Sequence, residues 1–130
     1  MVLASLQSEL TSPRVYARLH CVMTAAEKAL STFREPPHMY NCAQTVCAAF
    51  GRDDLLEAMK VCGGGRAPEG MCGALYGAIQ VAPERAEELK AAFVAKNGSW
   101  KCSELKGGTP RVACQQCVAV AAQLAAGEEA

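Results

Sequence analysis

Apolar residues in this chain recur every three or four positions, and no segment alternates regularly between polar and apolar residues. A spacing of three to four places side chains on one face of an α-helix, whereas alternation would indicate a strand. Alanine is abundant and β-branched residues are sparse, which also favours helices. The sequence therefore predicts an all-α fold: a single compact helical bundle of five to seven helices, some of them short.

The length suits one domain, which we expect to span residues 1–130. Residues 1–35 are predicted to be an N-terminal helical extension, with a helix over residues 11–30. The last helix is expected to begin with Thr109 as its cap, because a proline follows that suits the first helical turn. Cys114 would then lie several residues inside that helix, away from its positive end.

Charge and hydropathy exclude several classes of function. The 13 basic residues balance the 13 acidic ones, and no basic block suggests nucleic acid binding. No apolar run reaches the roughly 18 residues of a membrane helix, and the first residues lack the charged and apolar regions of a secretory signal. We therefore expect a cytoplasmic protein, in a reducing compartment, that binds neither nucleic acid nor membranes.

Eight cysteines are the chemically informative residues. In a reducing compartment such a number favours metal binding or redox chemistry over disulfides, although about half are expected to be small packing residues. The only Cys-x2-Cys pair, Cys114 with Cys117, lacks the second pair of a zinc ribbon and the tandem repeat of a bacterial ferredoxin. This pair alone is therefore a weak signal.

Other cysteines lie where a thiolate would be favoured. Cys42 and Cys72 are each near the start of a predicted helix, and Cys102 follows a lysine. A glycine loop precedes Cys72, and its backbone N–H groups could bond the sulfides of a cluster or an anion. The predicted cofactor-binding glycines are Gly63, Gly64, Gly65 and Gly70. The alternative is that the small residues of this region only allow close packing, with Gly73-x3-Gly77 facing another helix or a second copy in a homodimer.

The order of these motifs resembles the C_GCAxxG_C_C family of redox-active proteins. The similar region spans about residues 40–122 and includes "NCAQTV", the glycine loop, "MCGALYGAIQVA", "CSEL" and "CQQCV". The resemblance implies four family cysteines, which we expect to be metal ligands, and two cysteines outside the family pattern are secondary candidates. Carried onto this chain, the four are Cys42, Cys72, Cys102 and Cys114, and the secondary candidates are Cys62 and Cys117, of which Cys117 is an alternative to Cys114.

A related helical module occurs in split-Soret-type cytochromes, where it is associated with an iron–sulfur centre. Covalent haem is not expected in this chain, because it has no Cys-x2-Cys-His motif. The resemblance therefore favours an iron–sulfur electron carrier that meets a redox partner protein.

Three alternatives remain open. The first is metal-free thiol–disulfide chemistry, in which Cys72 or Cys42 attacks and Cys62 or Cys117 resolves. The second is zinc bound for structure, and the third is a helical adaptor whose cysteines only pack. Whether the chain is itself an oxidoreductase or only an electron-transfer partner is not decided by its sequence.

Overall fold

A computed structural model describes residues 23–128, which contain seven α-helices and no strand. The prediction of an all-α fold with five to seven helices is therefore confirmed. Within this range no helix is both long enough and apolar enough to cross a membrane. The helices are α1 (Ala25–Thr32), α2 (Cys42–Ala49), α3 (Leu56–Met59), α4 (Gly73–Val81), α5 (Ala86–Asn97), α6 (Cys102–Gly107) and α7 (Cys114–Ala125), with short 3-10 turns at Asp53–Leu55, Pro68–Gly70 and Pro83–Arg85.

The predicted helix over residues 11–30 is interrupted just before α1. The Thr24 hydroxyl accepts a hydrogen bond from the Glu27 N–H at 3.1 Å, and the Glu27 carboxylate accepts one from the Thr24 N–H at 2.9 Å. This reciprocal capping box fixes the start at Ala25, so Thr24 and the residue before it are not helical. The rest of the predicted N-terminal extension, residues 1–22, lies outside the described residues.

Helix α4 packs against α2 and α7, and α7 also packs against α1. The approach of α4 to α2 is close because glycines face it: a Cβ on Gly77 would lie 2.7 Å from the carbonyl oxygen of Ala43. The Gly73-x3-Gly77 face therefore packs inside the chain, while the homodimer stays a prediction. The largest fully buried side chains of the main core are Val46, Leu75, Leu89, Phe93, Leu105 and Val118.

Helix α7 begins at Cys114, and the prediction that Thr109 caps it is wrong. Residues 111–113 are non-helical, because contacts with α6 hold them away from a helical path. The N–H of Val112 donates to the Leu105 carbonyl at 3.0 Å, and the Val112 carbonyl accepts from Lys106 Nζ at 3.0 Å. Cys114 is therefore the first residue of the helix, where the backbone N–H groups have no intrahelical partner.

Asn41 joins two chain segments beside the first predicted ligand. Its side-chain oxygen accepts from the Gln44 N–H at 2.8 Å and caps α2. Its amide nitrogen donates to the carbonyls of Met59 at 3.0 Å and Lys60 at 2.9 Å. One side chain thus fixes both the start of α2 and the chain that leads into the glycine loop.

We expect Asn41→Ala to lower the free energy of unfolding by about 2–3 kcal/mol, since a cap is worth about 1 kcal/mol and each hydrogen bond about 1 kcal/mol more. Urea unfolding under reducing conditions measures this. Thr24→Ala is the matched control, because it removes a cap alone and should cost about 1 kcal/mol. Equal losses for the two variants would contradict the bridging role of Asn41.

Candidate functional site

Five cysteines from four helices line one cavity of about 280 Å³. They are the four predicted ligands together with Cys117, which was a secondary candidate. We call this space the cysteine cavity. Its cysteines are Cys42, Cys72, Cys102, Cys114 and Cys117, and its walls are completed by Arg34, Gly64, Gly73, Lys106 and Arg111.

The four predicted ligands all lie at helix N-termini. Cys42, Cys102 and Cys114 are the first residues of α2, α6 and α7, and Cys72 is the N-cap of α4. Each helix start carries partial positive charge on its unpaired N–H groups. Segments distant in sequence therefore direct their positive ends toward the same set of sulfur atoms.

The glycine loop forms one wall of the cysteine cavity. Gly64 lines it, and its backbone N–H bonds the Cys42 sulfur. Gly65 lies beside Cys102, since a Cβ there would be 3.6 Å from that sulfur. Both glycines have positive φ, of +62° for Gly64 and +83° for Gly65, which a side chain would strain. Gly63 instead packs against Asn41, and Gly70 does not line the cavity.

Positive charge surrounds the cysteine cavity. Arg34, Lys106 and Arg111 line it, and no carboxylate is among its lining residues in the described part of the chain. Lys106 reaches furthest toward the thiols, with Nζ 3.9 Å from the Cys117 sulfur. Burial opposes the charge on Lys106, but the neighbouring thiols outweigh it and raise the pKa of this amine, so it stays protonated. These positive charges oppose the effect of burial on the thiols of the cavity.

Cys72 and Cys117 form a hydrogen-bonded pair at the bottom of the cavity. Their mutual bond lowers the pKa of Cys117, which Lys106 supports against burial. The same bond, together with burial, raises the pKa of Cys72. When the pair loses its first proton, Cys72 therefore keeps and donates the remaining one, and Cys117 carries the negative charge.

The expectation that a helix start favours the thiolate at Cys42 and Cys72 is wrong for the metal-free protein. Burial raises the pKa of Cys42, although the N–H groups of Gly64 and Ala43 partly offset it. Burial also raises the pKa of Cys102, against the influence of Lys106. Without a bound cation, loss of hydration outweighs the pull of the backbone dipoles. Cys117 takes the acidic role because it alone combines a thiol donor with a nearby ammonium group.

Two further cysteines belong to a separate cluster of buried residues. Cys47 and Cys62 pack with Ala43, Met59 and Ala67, and neither lines the cysteine cavity. The Cys47 thiol donates to the Gly77 carbonyl at 3.6 Å, and burial raises its pKa to about 11. These cysteines behave as packing residues, and Cys62 is not brought to the predicted site.

Titration of the metal-free, reduced protein should show that Cys72 and Cys117 share a proton. We expect one thiolate to form below the ordinary thiol pKa of about 8.5, because Cys72 and Lys106 stabilise the Cys117 anion. Ultraviolet thiolate absorbance against pH measures it. Cys117→Ser should remove this first step and Lys106→Met should move it to higher pH, whereas Lys28→Met, on the exposed side of α1, should change neither. A single transition of all thiols above that pH would contradict the pairing.

The cavity is wide for one metal ion. Its volume of about 280 Å³ corresponds to about nine water molecules at roughly 30 Å³ each. Among residues 23–128, no group of three or more His, Cys, Asp or Glu side chains is arranged to hold a metal ion. The cysteines surround an open space. In a tetrahedral zinc site, by contrast, each sulfur atom lies about 2.3 Å from a single metal ion.

No family model, curated protein or solved structure matches this chain. The chemistry of the cavity must therefore be inferred from its own residues. Of those, Lys106 and Arg34 were missed by the sequence reasoning. Lys106 lies four residues after Cys102, a spacing that places both on one helix face and could have indicated it. Arg34 is brought in by the turn after α1. Pro36 and Pro37 indicate a break there, but they do not indicate which side chain reaches the cavity.

Proposed function

We propose that this protein binds an iron–sulfur cluster in the cysteine cavity and transfers electrons to or from a redox partner. The observation that carries the proposal is the convergence of five cysteines and three cationic side chains on one space. Thiolates are the usual ligands of iron–sulfur clusters, and four are the usual number. The resemblance to the C_GCAxxG_C_C family leads to the same four cysteines.

Cys42, Cys72, Cys102 and Cys114 are the proposed ligands. They share a position at a helix start, where N–H groups can donate to cluster and ligand sulfur. Cys117 lies one turn inside α7 and is 1% exposed, so we assign it to the bottom of the cavity beside Lys106. When bound, such a cluster supplies one-electron transfer at a potential that its surroundings set.

The chain's own residues would offset the negative charge of thiolates and cluster. Lys106, Arg34 and Arg111 supply three positive charges, and the Gly64 N–H supplies a hydrogen bond to sulfur. Positive charge and hydrogen bonds near sulfur stabilise the reduced state and raise the reduction potential. We also propose a cytoplasmic location, because a reducing compartment would keep these cysteines free of disulfides.

Anaerobic reconstitution with iron and sulfide tests this function. We expect iron and acid-labile sulfide to be retained in equal amounts after desalting, with little zinc in the same sample. Zinc retained in place of iron and sulfide would support the structural-zinc alternative instead. Protein that retains neither would contradict any metal function.

A second candidate is thiol–disulfide exchange by the metal-free protein, which the Cys72–Cys117 contact favours. The Cys117 thiolate would attack an external disulfide, releasing one of its sulfurs as a thiolate and forming a mixed disulfide. Cys72, after losing its proton, would then displace the second sulfur. This reverses the roles expected for Cys72 and Cys117. Mild oxidation should lower the count of free thiols from eight by the two of this pair, and an unchanged count would contradict it.

A further inference from the structure

A second cavity adjoins the cysteine cavity and shares part of its wall. It has a volume of about 260 Å³. Arg34, Arg111 and Cys114 line both spaces, and Ala113 and Gln115 complete the second one. We call this second space the arginine cavity. Two arginines from segments far apart in sequence therefore line the junction of the two cavities, together with Cys114.

In the described part of the chain, the side chains of both arginines lack a carboxylate partner. Within residues 23–128 the ion pairs are Arg52 with Asp54 and Arg85 with Glu88, and neither Arg34 nor Arg111 takes part in one. The described carboxylates likewise stay out of the walls of both cavities. A guanidinium carries five N–H donors and a fixed charge. Two arginines on one small cavity form a surface that suits an anion.

Arg34 is held in place before any ligand arrives. Its guanidinium carbon lies 4.8 Å from the centre of the Phe33 ring, a cation–π contact with a core residue. Its backbone has a φ of 55°, which is uncommon for a side-chain-bearing residue, and its N–H donates to the Tyr40 carbonyl at 2.9 Å. The loop thus keeps an unfavourable backbone conformation at Arg34, and this conformation places the residue beside the two cavities.

We propose that Arg34 and Arg111 bind a small oxyanion beside Cys114. The planar fork of a guanidinium matches the oxygens of carboxylate and phosphate groups, to which it donates two parallel hydrogen bonds. The cavity lies below the size range of drug-like ligand sites, about 300–1,000 Å³, so the ligand is small. If the bound oxyanion is a substrate of the redox site, that part of the proposal rests on the proposed function. The binding of the anion itself does not require a cluster.

Calorimetric titration of the metal-free, reduced protein at low ionic strength tests the site, with inorganic phosphate in one series and acetate in another. We expect saturable binding of at least one of the two anions. The double variant Arg34→Gln/Arg111→Gln should bind it about a hundredfold more weakly or worse, because it loses at least two charged hydrogen bonds and each costs about tenfold. The control is Arg52→Gln, which removes the same charge from an arginine paired with Asp54 and should leave binding unchanged.

A second measurement needs no variant. Alkylation of Cys114, located by peptide mass spectrometry, is compared for iodoacetate, a carboxylate, and the neutral iodoacetamide. Phosphate or acetate should slow the iodoacetate reaction several-fold and the iodoacetamide reaction less. Absence of saturable binding for both anions, or equal losses in the double variant and in Arg52→Gln, would overturn the anion site.

Iron assays on the same variants keep the two proposals apart. If the protein binds phosphate or acetate but cannot retain iron, the proposed function is overturned and the anion site is supported. Conversely, a double variant that loses iron, in a protein whose wild type binds neither anion, would mean that the arginines only balance cluster charge. That result would overturn the anion site and leave the cluster proposal intact.

Discussion

Replacing Cys72 by serine is expected to reduce the iron retained per chain by about tenfold or more. Mutation of residues that only hydrogen-bond to metal ligands already lowers metal affinity by about 10–100-fold. Cys72 is 4% exposed and lines the cysteine cavity as the N-cap of α4. Serine is a favourable capping residue, so the metal-free variant should unfold at the same or a slightly higher urea concentration. Loss of iron would then reflect loss of a ligand and not loss of the fold.

Cys47→Ser is the matched control for this variant. Cys47 is as buried as Cys72, and a serine hydroxyl there can donate to the same Gly77 carbonyl. Because Cys47 belongs to the separate cluster of buried residues, the iron content of the Cys47→Ser variant should equal that of the wild type. If both variants retain iron equally after reconstitution, Cys72 is not a ligand.

Gly73→Ala is expected to damage stability and site together. A Cβ at this position would lie 2.5 Å from the Cys42 sulfur and 2.8 Å from the Cys62 carbonyl oxygen. The sulfur would have to move and the backbone would have to shift, so we expect the free energy of unfolding to fall by about 1–3 kcal/mol, as for other overpacked sites. Urea unfolding of the metal-free protein and iron content after reconstitution measure the two effects.

Gly107→Ala provides the control, because this glycine is also helical, lacks a positive φ, and has no neighbour within 4 Å of an added Cβ. Alanine should leave stability unchanged or raise it by up to about 1 kcal/mol, the helix preference of alanine over glycine. Similar behaviour of the two variants would contradict the close contact between α4 and the start of α2.

The helices could be predicted because their signals are local. Asn41 before α2 has a side chain that suits an N-cap, and the apolar spacing of α2 matches its buried face. The break before α1 and the start of α7 were not predicted, for different reasons. The capping box of Thr24 was overlooked, although it is readable in the sequence. Nothing local reveals that contacts between Val112 and α6 delay the start of α7, because those contacts are tertiary.

The candidate site also contains features that the sequence predicts and features that depend on tertiary contacts. Cysteines at helix starts, and the glycines before Cys72, could be selected from sequence patterns and from the family resemblance. The acidity of Cys117 could not, since it depends on a hydrogen bond from Cys72 and on Lys106, which come from other helices. The expected acidity of Cys42 failed because burial cannot be weighed against a helix dipole until the depth of the side chain is known.

The most direct test is the visible absorbance spectrum of anaerobically isolated protein, with iron and acid-labile sulfide assayed on the same sample. We predict a brown protein with broad sulfur-to-iron charge-transfer absorption that bleaches on chemical reduction, and with iron and sulfide in equal amounts. A colourless protein with all eight thiols free, and no iron or sulfide before or after reconstitution, would contradict the proposal that the cysteine cavity holds an iron–sulfur cluster.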